Sequence, residues 1–386
     1  MGNNKFISVI CLVIFTLSIT NNVFCRNNDN FVKRIPTDSI VQNLEVDLRL
    51  SYGFIAHHRY EMKGYNAHFP LFEFSIQKQT YGKSAWQTYF NYPTIGVTAF
   101  YSSLGNIDII GNAYAIYPFI YFPFNKNKTN TFEFRLGVGL GYLTEKYNHL
   151  ENSHNTYIGS HFNAAASLTF EYKRQIADRY KISAFAGLTH FSNGCTNTPN
   201  HGINIPKAGI GVSYMLSEPH KFVPRQHVDN SQFRKIRPEF YAGISFGIKR
   251  IKYQQKNDIA VCNFELYLMD RVSNLSKVGI GIDVVYDATD NIYVKEHYGA
   301  DFKFTSLELL KPGISAAYEL LIGDASFLFN FGYHPYGLDM RYGRWYQKIA
   351  LKADFGKYLY GKIALTTHWG VADFIGFGLG IRIVKN

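Results

Sequence analysis

Phe132-Glu133-Phe134-Arg135-Leu136-Gly137-Val138-Gly139-Leu140-Gly141-Tyr142 alternates a large apolar residue with a charge or a glycine along its whole length. Successive strand side chains point to opposite faces, so this stretch predicts one continuous apolar face and one face of Glu133, Arg135 and three glycines. Soluble sandwiches alternate too, but their strands are short and their second face is polar rather than glycine and charge. Here the run has the length that a tilted strand needs to cross a bilayer, about 9–11 residues.

The same pattern recurs along the chain. Leu44, Val46, Leu48, Leu50, Tyr52 and Phe54 alternate with Glu45, Asp47, Arg49, Ser51 and Gly53. Ala208, Ile210, Val212, Tyr214 and Leu216 do so with Lys207, Gly209, Gly211, Ser213 and Met215, and Ile375 to Ile383 repeats it with glycines between. A composition of 17% aromatic and 18% charged residues, with 32 Gly and 12 Pro in 386 residues, fits many such strands and excludes disorder.

The N-terminus reads as an export signal over residues 1–25. Met1–Lys5 is a short basic start, Phe6–Ile19 is apolar, and Val23-Phe24-Cys25 precedes Arg26 at the expected cleavage site. A lipoprotein site at Cys25 is the lesser alternative, because Asn-Asn-Val-Phe is a poor lipobox. No later apolar run is long enough for a spanning helix. The expectation is an all-β chain forming a transmembrane antiparallel β-barrel in the bacterial outer membrane, closed because lipid cannot satisfy an open sheet edge.

The net charge of +11 in an exported chain argues against nucleic acid and for anionic lipid head groups, with a basic surface kept for solubility as the plain alternative. Cys11 and Cys25 fall in the leader, which leaves Cys195 and Cys262 for one bridge at most.

About sixteen candidate strands fall into two similar sets. Residues 26–217 form the first half, 218–235 a polar linker or long turn with Pro219 and Pro224, and 236–386 the second half. Each half ends with a His-bearing strand followed by a Gly-alternating one, which suggests a degenerate repeat; shared barrel periodicity is the alternative. Fused spanning barrels are rare, so the expectation leans to one ring of 12–16 strands, with a duplicated eight-strand unit as the other arrangement.

The chemistry concentrates in Gly187-Leu-Thr-His190-Phe-Ser192-Asn193-Gly194 and Pro199-Asn200-His201-Gly202-Ile203-Asn204. Strand parity puts His190 and Ser192 on the face of Leu188, Ala186, Ala184 and Ile182, the lipid-directed stripe, where an unpartnered His or Ser would be costly. A strand running back from Ala208 puts Asn204 on that same face. A hydroxyl needs a base, and the base needs an orienting group. Asn193, Gly194 and Asn200 are candidate oxyanion donors.

These residues resemble the PagL-type outer-membrane lipid A 3-O-deacylases, the acyloxyacyl hydrolase family, over some fifteen positions; the resemblance covers the first half of the mature chain. It implies a β-barrel esterase with a Ser-His-Glu triad on its outer surface, acting on an ester-linked acyl chain of lipid A without a cofactor. His190 then corresponds to the base, Ser192 to the nucleophile, and Asn193 and Asn200 to oxyanion positions. The family's acidic residue falls at Asn204. An amide can orient the imidazole but cannot stabilise the imidazolium by charge. Glu171 is a candidate acid from another strand, and His201 a possible assistant.

Other clusters carry less. In the second half His368, beside Thr366, Ala364 and Lys362, reads as structural. His57, His58, His149, His154 and His161 lack regular ligand spacing, so no metal is expected. Cys195 reads as a turn residue, and Tyr114, Tyr117, Tyr121 and Trp345 as an interfacial girdle. The competing function is a non-catalytic barrel, a pore or surface-binding protein with a decayed site.

Overall fold

In a computed structural model, residues 43–57, 62, 68–125, 129–217, 222–224, 237–250 and 258–384 are described. The export signal and most of the 218–235 linker lie outside them. No described helix is long and apolar enough to cross a membrane.

Eight strands make the first barrel: β1 (Leu44–Phe54), β2 (His68–Gln79), β3 (Thr94–Ser102), β4 (Ala113–Pro123), β5 (Asn130–Leu143), β6 (Phe162–Gln175), β7 (Tyr180–Ser192) and β8 (Ile203–Met215). Each pairs antiparallel with the next, and β1 closes on β8 from Glu45↔Met215 to Gly53↔Lys207. A short helix, α1 (Ala85–Tyr89), lies in the β2–β3 connection.

Eight more make a second closed barrel: β9 (Glu239–Lys249), β10 (Ile259–Arg271), β11 (Ser276–Asp287), β12 (Leu310–Ile322), β13 (Ala325–Tyr333), β14 (Trp345–Phe355), β15 (Leu359–His368) and β16 (Val371–Val384), with α2 (Asp290–Tyr298) between β11 and β12. These two sets are separate compact units, and the short segment Gly194–Thr198 groups with the second.

Among the described residues sixteen strands are therefore present, but as two rings of eight rather than one larger ring. The lumen explains the choice. An eight-stranded barrel has an interior just wide enough for side chains to fill, and each half carries the charges to fill its own.

In the first barrel, Glu73 accepts from Arg49 at 2.9 Å and Arg135 at 2.6 Å, and also from Lys207. Arg49 reaches Glu171 at 3.0 Å, and Arg135 lies over the Phe119 ring, 4.0 Å from its centroid. In the second, Glu265 takes Lys348 at 3.2 Å and Lys362, while Lys348 also reaches Asp283. A wider ring would pull these partners apart and admit water between them.

The outward faces are apolar, as the alternation predicts. Leu48, Phe170 and Ile210 are about two-thirds exposed at 63%, 63% and 65%, while Glu45, Asp47, Arg49 and Ser51 point inward and are buried. Tyr114 and Trp345 are exposed as girdle residues should be. Tyr117 and Tyr121 are not: both are wholly buried in the lumen, and the Tyr121 hydroxyl donates to Glu171 at 2.7 Å. They sit at odd positions of β4, opposite in parity to Tyr114.

At the end of the first barrel that carries Ser192, the lumen changes from charge to an apolar plug. It includes Phe69, Leu71, Phe100, Phe191, Ile203 and Ile205. This plug anchors the strand ends on which the candidate site is built.

Candidate active site

Thr189 and Phe191 are fully buried on the inner face of β7, so His190 and Ser192 lie on the outer face, each half-buried. Below them on that face Ala186, Ala184 and Ile182 are exposed, and Leu168 on β6 and Ile210 on β8 extend the apolar surface to both sides. On β6 the register partners of His190 and Ser192 are Ala166 and Ala164. Both partners carry only a methyl group.

Asn204 is the direct register partner of His190 on β8. Its Oδ1 lies 2.6 Å from His190 Nδ1. An amide oxygen only accepts, so Nδ1 carries the proton and Nε2 is left as the basic nitrogen. The backbone at Asn204 is held as well, its carbonyl accepting from Ala56 N at 2.8 Å.

Gly202 supports the same ring. Its φ is +76°, and a Cβ there would come within 2.8 Å of His190 Cε1. Glycine is needed both for the left-handed backbone and for the close approach.

The other side of the serine is organised by Asn200, whose Oδ1 accepts from Ser192 Oγ at 3.2 Å and from Asn193 N at 3.0 Å. Asn200 is itself bridged to Ile158, and Tyr157 O accepts from His201 N and Gly202 N at 3.0 and 3.2 Å. His201 is thus held through its backbone. The Asn193 side chain is buried and donates inward to Ser160 Oγ at 2.9 Å. Gly194 and Cys195 follow in left-handed backbone, φ +59° and +66°, and form the turn.

His190 is therefore joined to Asn204, and Ser192 and Asn193 to Asn200, with His190 and Ser192 two residues apart on one face of β7. Glu171 is not among them: it faces the lumen, paired with Phe185 in register and bound to Arg49 and Tyr121. His190 points to the opposite face of the sheet, so Glu171 cannot be its acid. In the second barrel His368 points inward, with Nδ1 2.9 Å from Trp345 O and Nε2 3.6 Å from Asp373, a structural placement. Cys195 and Cys262 form no disulfide. Among the described residues no three His, Cys, Asp or Glu side chains are grouped to hold a metal.

Two contributors were not visible in the sequence. Ser160 and the Tyr157–Ile158 backbone reach the site from the long β5–β6 connection through hydrogen bonds spanning more than thirty residues. No local motif marks them. The glycine at 202 did stand in the motif, but its contact with His190 needs the fold.

Closed antiparallel barrels with apolar outer belts and charge-filled lumens define the class, an outer-membrane-type β-barrel. A family model described as "Lipid A 3-O-deacylase (PagL)" matches residues 71–213, and one described as "Acyloxyacyl hydrolase, C-terminal domain" matches 238–386. The chain belongs to the PagL-type lipid A 3-O-deacylase, or acyloxyacyl hydrolase, family. The second half, which the motif alone left outside the family, is included by its own domain model.

None of the curated proteins compared matches the chain. Among solved structures, OccAB4 of Acinetobacter baumannii is 11% identical, covering 89% of this chain and 97% of its own at a TM-score of 0.22. The Pseudomonas putida toluene transporter TodX is 10% identical, covering 89% and 90% at 0.18. A triple mutant of the Rhodopseudomonas blastica porin is 7% identical, covering 88% and 99% at 0.17. Superpositions this loose carry no argument about fold or function.

Proposed function

We propose that this protein is an outer-membrane esterase that removes an ester-linked acyl chain from lipid A, with Ser192 as nucleophile, His190 as base and Asn204 as the residue that orients the ring. The observation that carries the reading is the His190–Asn204 pair at 2.6 Å, on the same outward face as Ser192 and at the top of an apolar stripe. Such a face meets acyl chains from within the lipid, and family membership supplies the substrate class.

Ser192 Oγ attacks the ester carbonyl while its proton passes to His190 Nε2. The carbonyl oxygen gains the negative charge and is met by the Asn200 amide nitrogen, since Asn200 Oδ1 is the atom that holds Ser192 Oγ and Asn193 N. Collapse breaks the ester bond, and His190 returns the proton to the departing sugar hydroxyl. Water then attacks the acyl-serine with His190 as base again, releasing the fatty acid and restoring Ser192. No cofactor enters the sequence.

The site lies at the end of the first barrel that bears connections 55–67, 103–112, 144–161 and 193–202, which together are longer than 80–93, 124–129 and 176–179 at the other end. Longer loops face outward in outer-membrane barrels. The serine would then sit at the leaflet that carries lipopolysaccharide, in agreement with an exported chain.

A fluorophosphonate carrying an alkyl chain tests the nucleophile. The label should fall on Ser192, located by peptide mass spectrometry, and vanish in His190→Ala. Labelling at another residue, or equal labelling of His190→Ala, would overturn the assignment.

A further inference from the structure

The Ser160–Asn163 pair extends the candidate site into the barrel wall. Asn163 is inward-facing and buried at the start of β6, next to Ala164, the register partner of Ser192. Its Nδ2 donates to two carbonyls, Ser160 O at 3.0 Å and His161 O at 3.1 Å. With the amide fixed in that sense, its Oδ1 is what faces the Ser160 hydroxyl, 2.9 Å away.

A hydroxyl has one proton. Given to Asn163, it leaves only lone pairs on Ser160 Oγ, which accept from Asn193 Nδ2 at 2.9 Å. The Asn193 side chain is thereby turned inward, and its backbone N is directed to Asn200 Oδ1, the same atom that takes the Ser192 hydroxyl. Every bond in this relay has a defined direction, from the two carbonyls through Asn163, Ser160 and Asn193 to Asn200, whose Oδ1 accepts from the nucleophile. Ser160 is 8% exposed, and Asn163 and Asn193 are each 3% exposed, so water does not readily replace a lost member.

We infer that Ser160 and Asn163 are positioning residues that fix the oxyanion side of Ser192 by setting the orientation of the Asn193 peptide. The inference rests on the deacylase reading and deepens it. Their effect should fall on the transition state, where the oxyanion develops, and not on the apolar surface that binds acyl chains.

The test is steady-state deacylation of purified lipid A in detergent by wild type, Ser160→Ala, Ser160→Thr and Asn163→Leu. Loss of the hydroxyl should lower kcat about ten- to a hundredfold with KM within about twofold. Ser160→Thr should restore kcat to within about threefold, since it keeps one donor and the accepting lone pairs. Asn163→Leu should behave like Ser160→Ala while keeping the heat-modifiable gel mobility of a folded barrel.

An active wild type with Ser160→Ala and Asn163→Leu both unchanged in kcat overturns this inference alone. So does a loss that Ser160→Thr fails to rescue. A wild type without turnover overturns the deacylase reading and this inference with it.

Discussion

His190 Nδ1 and Asn204 Oδ1 lie 2.6 Å apart across a register pair of β7 and β8, so the sheet itself holds the imidazole and its partner together. Placing the orienter on the neighbouring strand, fourteen residues later in the chain, needs only the short connection 193–202. The partner is an amide where the family resemblance expects a carboxylate.

That difference sets the first prediction. Asn204→Asp keeps the reach and adds a charge that favours the imidazolium formed during attack. It should raise kcat about tenfold, equivalent to roughly 1.4 kcal/mol in the barrier. Asn204→Leu removes the acceptor that holds Nδ1–H and should lower kcat by about two to four orders of magnitude. Equal rates in all three proteins, measured by lipid A deacylation, would show that Asn204 does not orient His190.

Gly202 faces the same ring. Gly202→Ala places a Cβ 2.8 Å from His190 Cε1 and puts an L-residue at φ +76°. The backbone cost is about 1–2 kcal/mol. Displacing a catalytic ring by part of an ångström is far more damaging to rate than to stability, so kcat should drop by about a hundredfold. Urea unfolding beside kinetics checks this; a variant that unfolds readily yet turns over normally contradicts it.

Glu73 is the hub of the first lumen, within 2.9 Å of Arg49 and 2.6 Å of Arg135 and also bound to Lys207. Glu73→Gln leaves those buried cations short of one negative charge. The expected loss is about 3–5 kcal/mol, the usual cost of breaking a buried ion pair from one side. Equilibrium unfolding in lipid vesicles measures it, and a change below about 1 kcal/mol would mean that the remaining carboxylate, Glu171, suffices.

Filled lumens also bear on a pore. Among the described residues, Arg135 is fully buried against Phe119 in one lumen, and Lys348 and Lys362 cluster on Glu265 in the other. Planar-bilayer recordings should show no stable single-channel steps. Regular steps that persist in Ser192→Ala would favour the pore reading.

Much of this molecule was legible as period-two alternation, because one face of each strand meets an apolar surround and the other a charged lumen. Leu48 outward and Arg49 inward follow from that rule alone. The number of rings did not, because closure of β1 on β8 is a contact between residues more than 150 apart that no local pattern encodes. Parity also settles Tyr117 and Tyr121, which aromatic character had assigned to the outer girdle. At the site, His190, Ser192 and Asn204 share a face as strand parity predicts. Ser160 and Asn163 escaped because their link to Asn193 exists only once the 144–161 and 193–202 connections are packed together.

Mass spectrometry of lipid A from cells that express wild type or Ser192→Ala tests the central claim most directly. Wild type should yield lipid A lighter by one ester-linked acyl chain, and Ser192→Ala, present as a folded barrel in equal amount, should leave the lipid A unchanged. Loss of the same acyl chain in both strains would contradict the account.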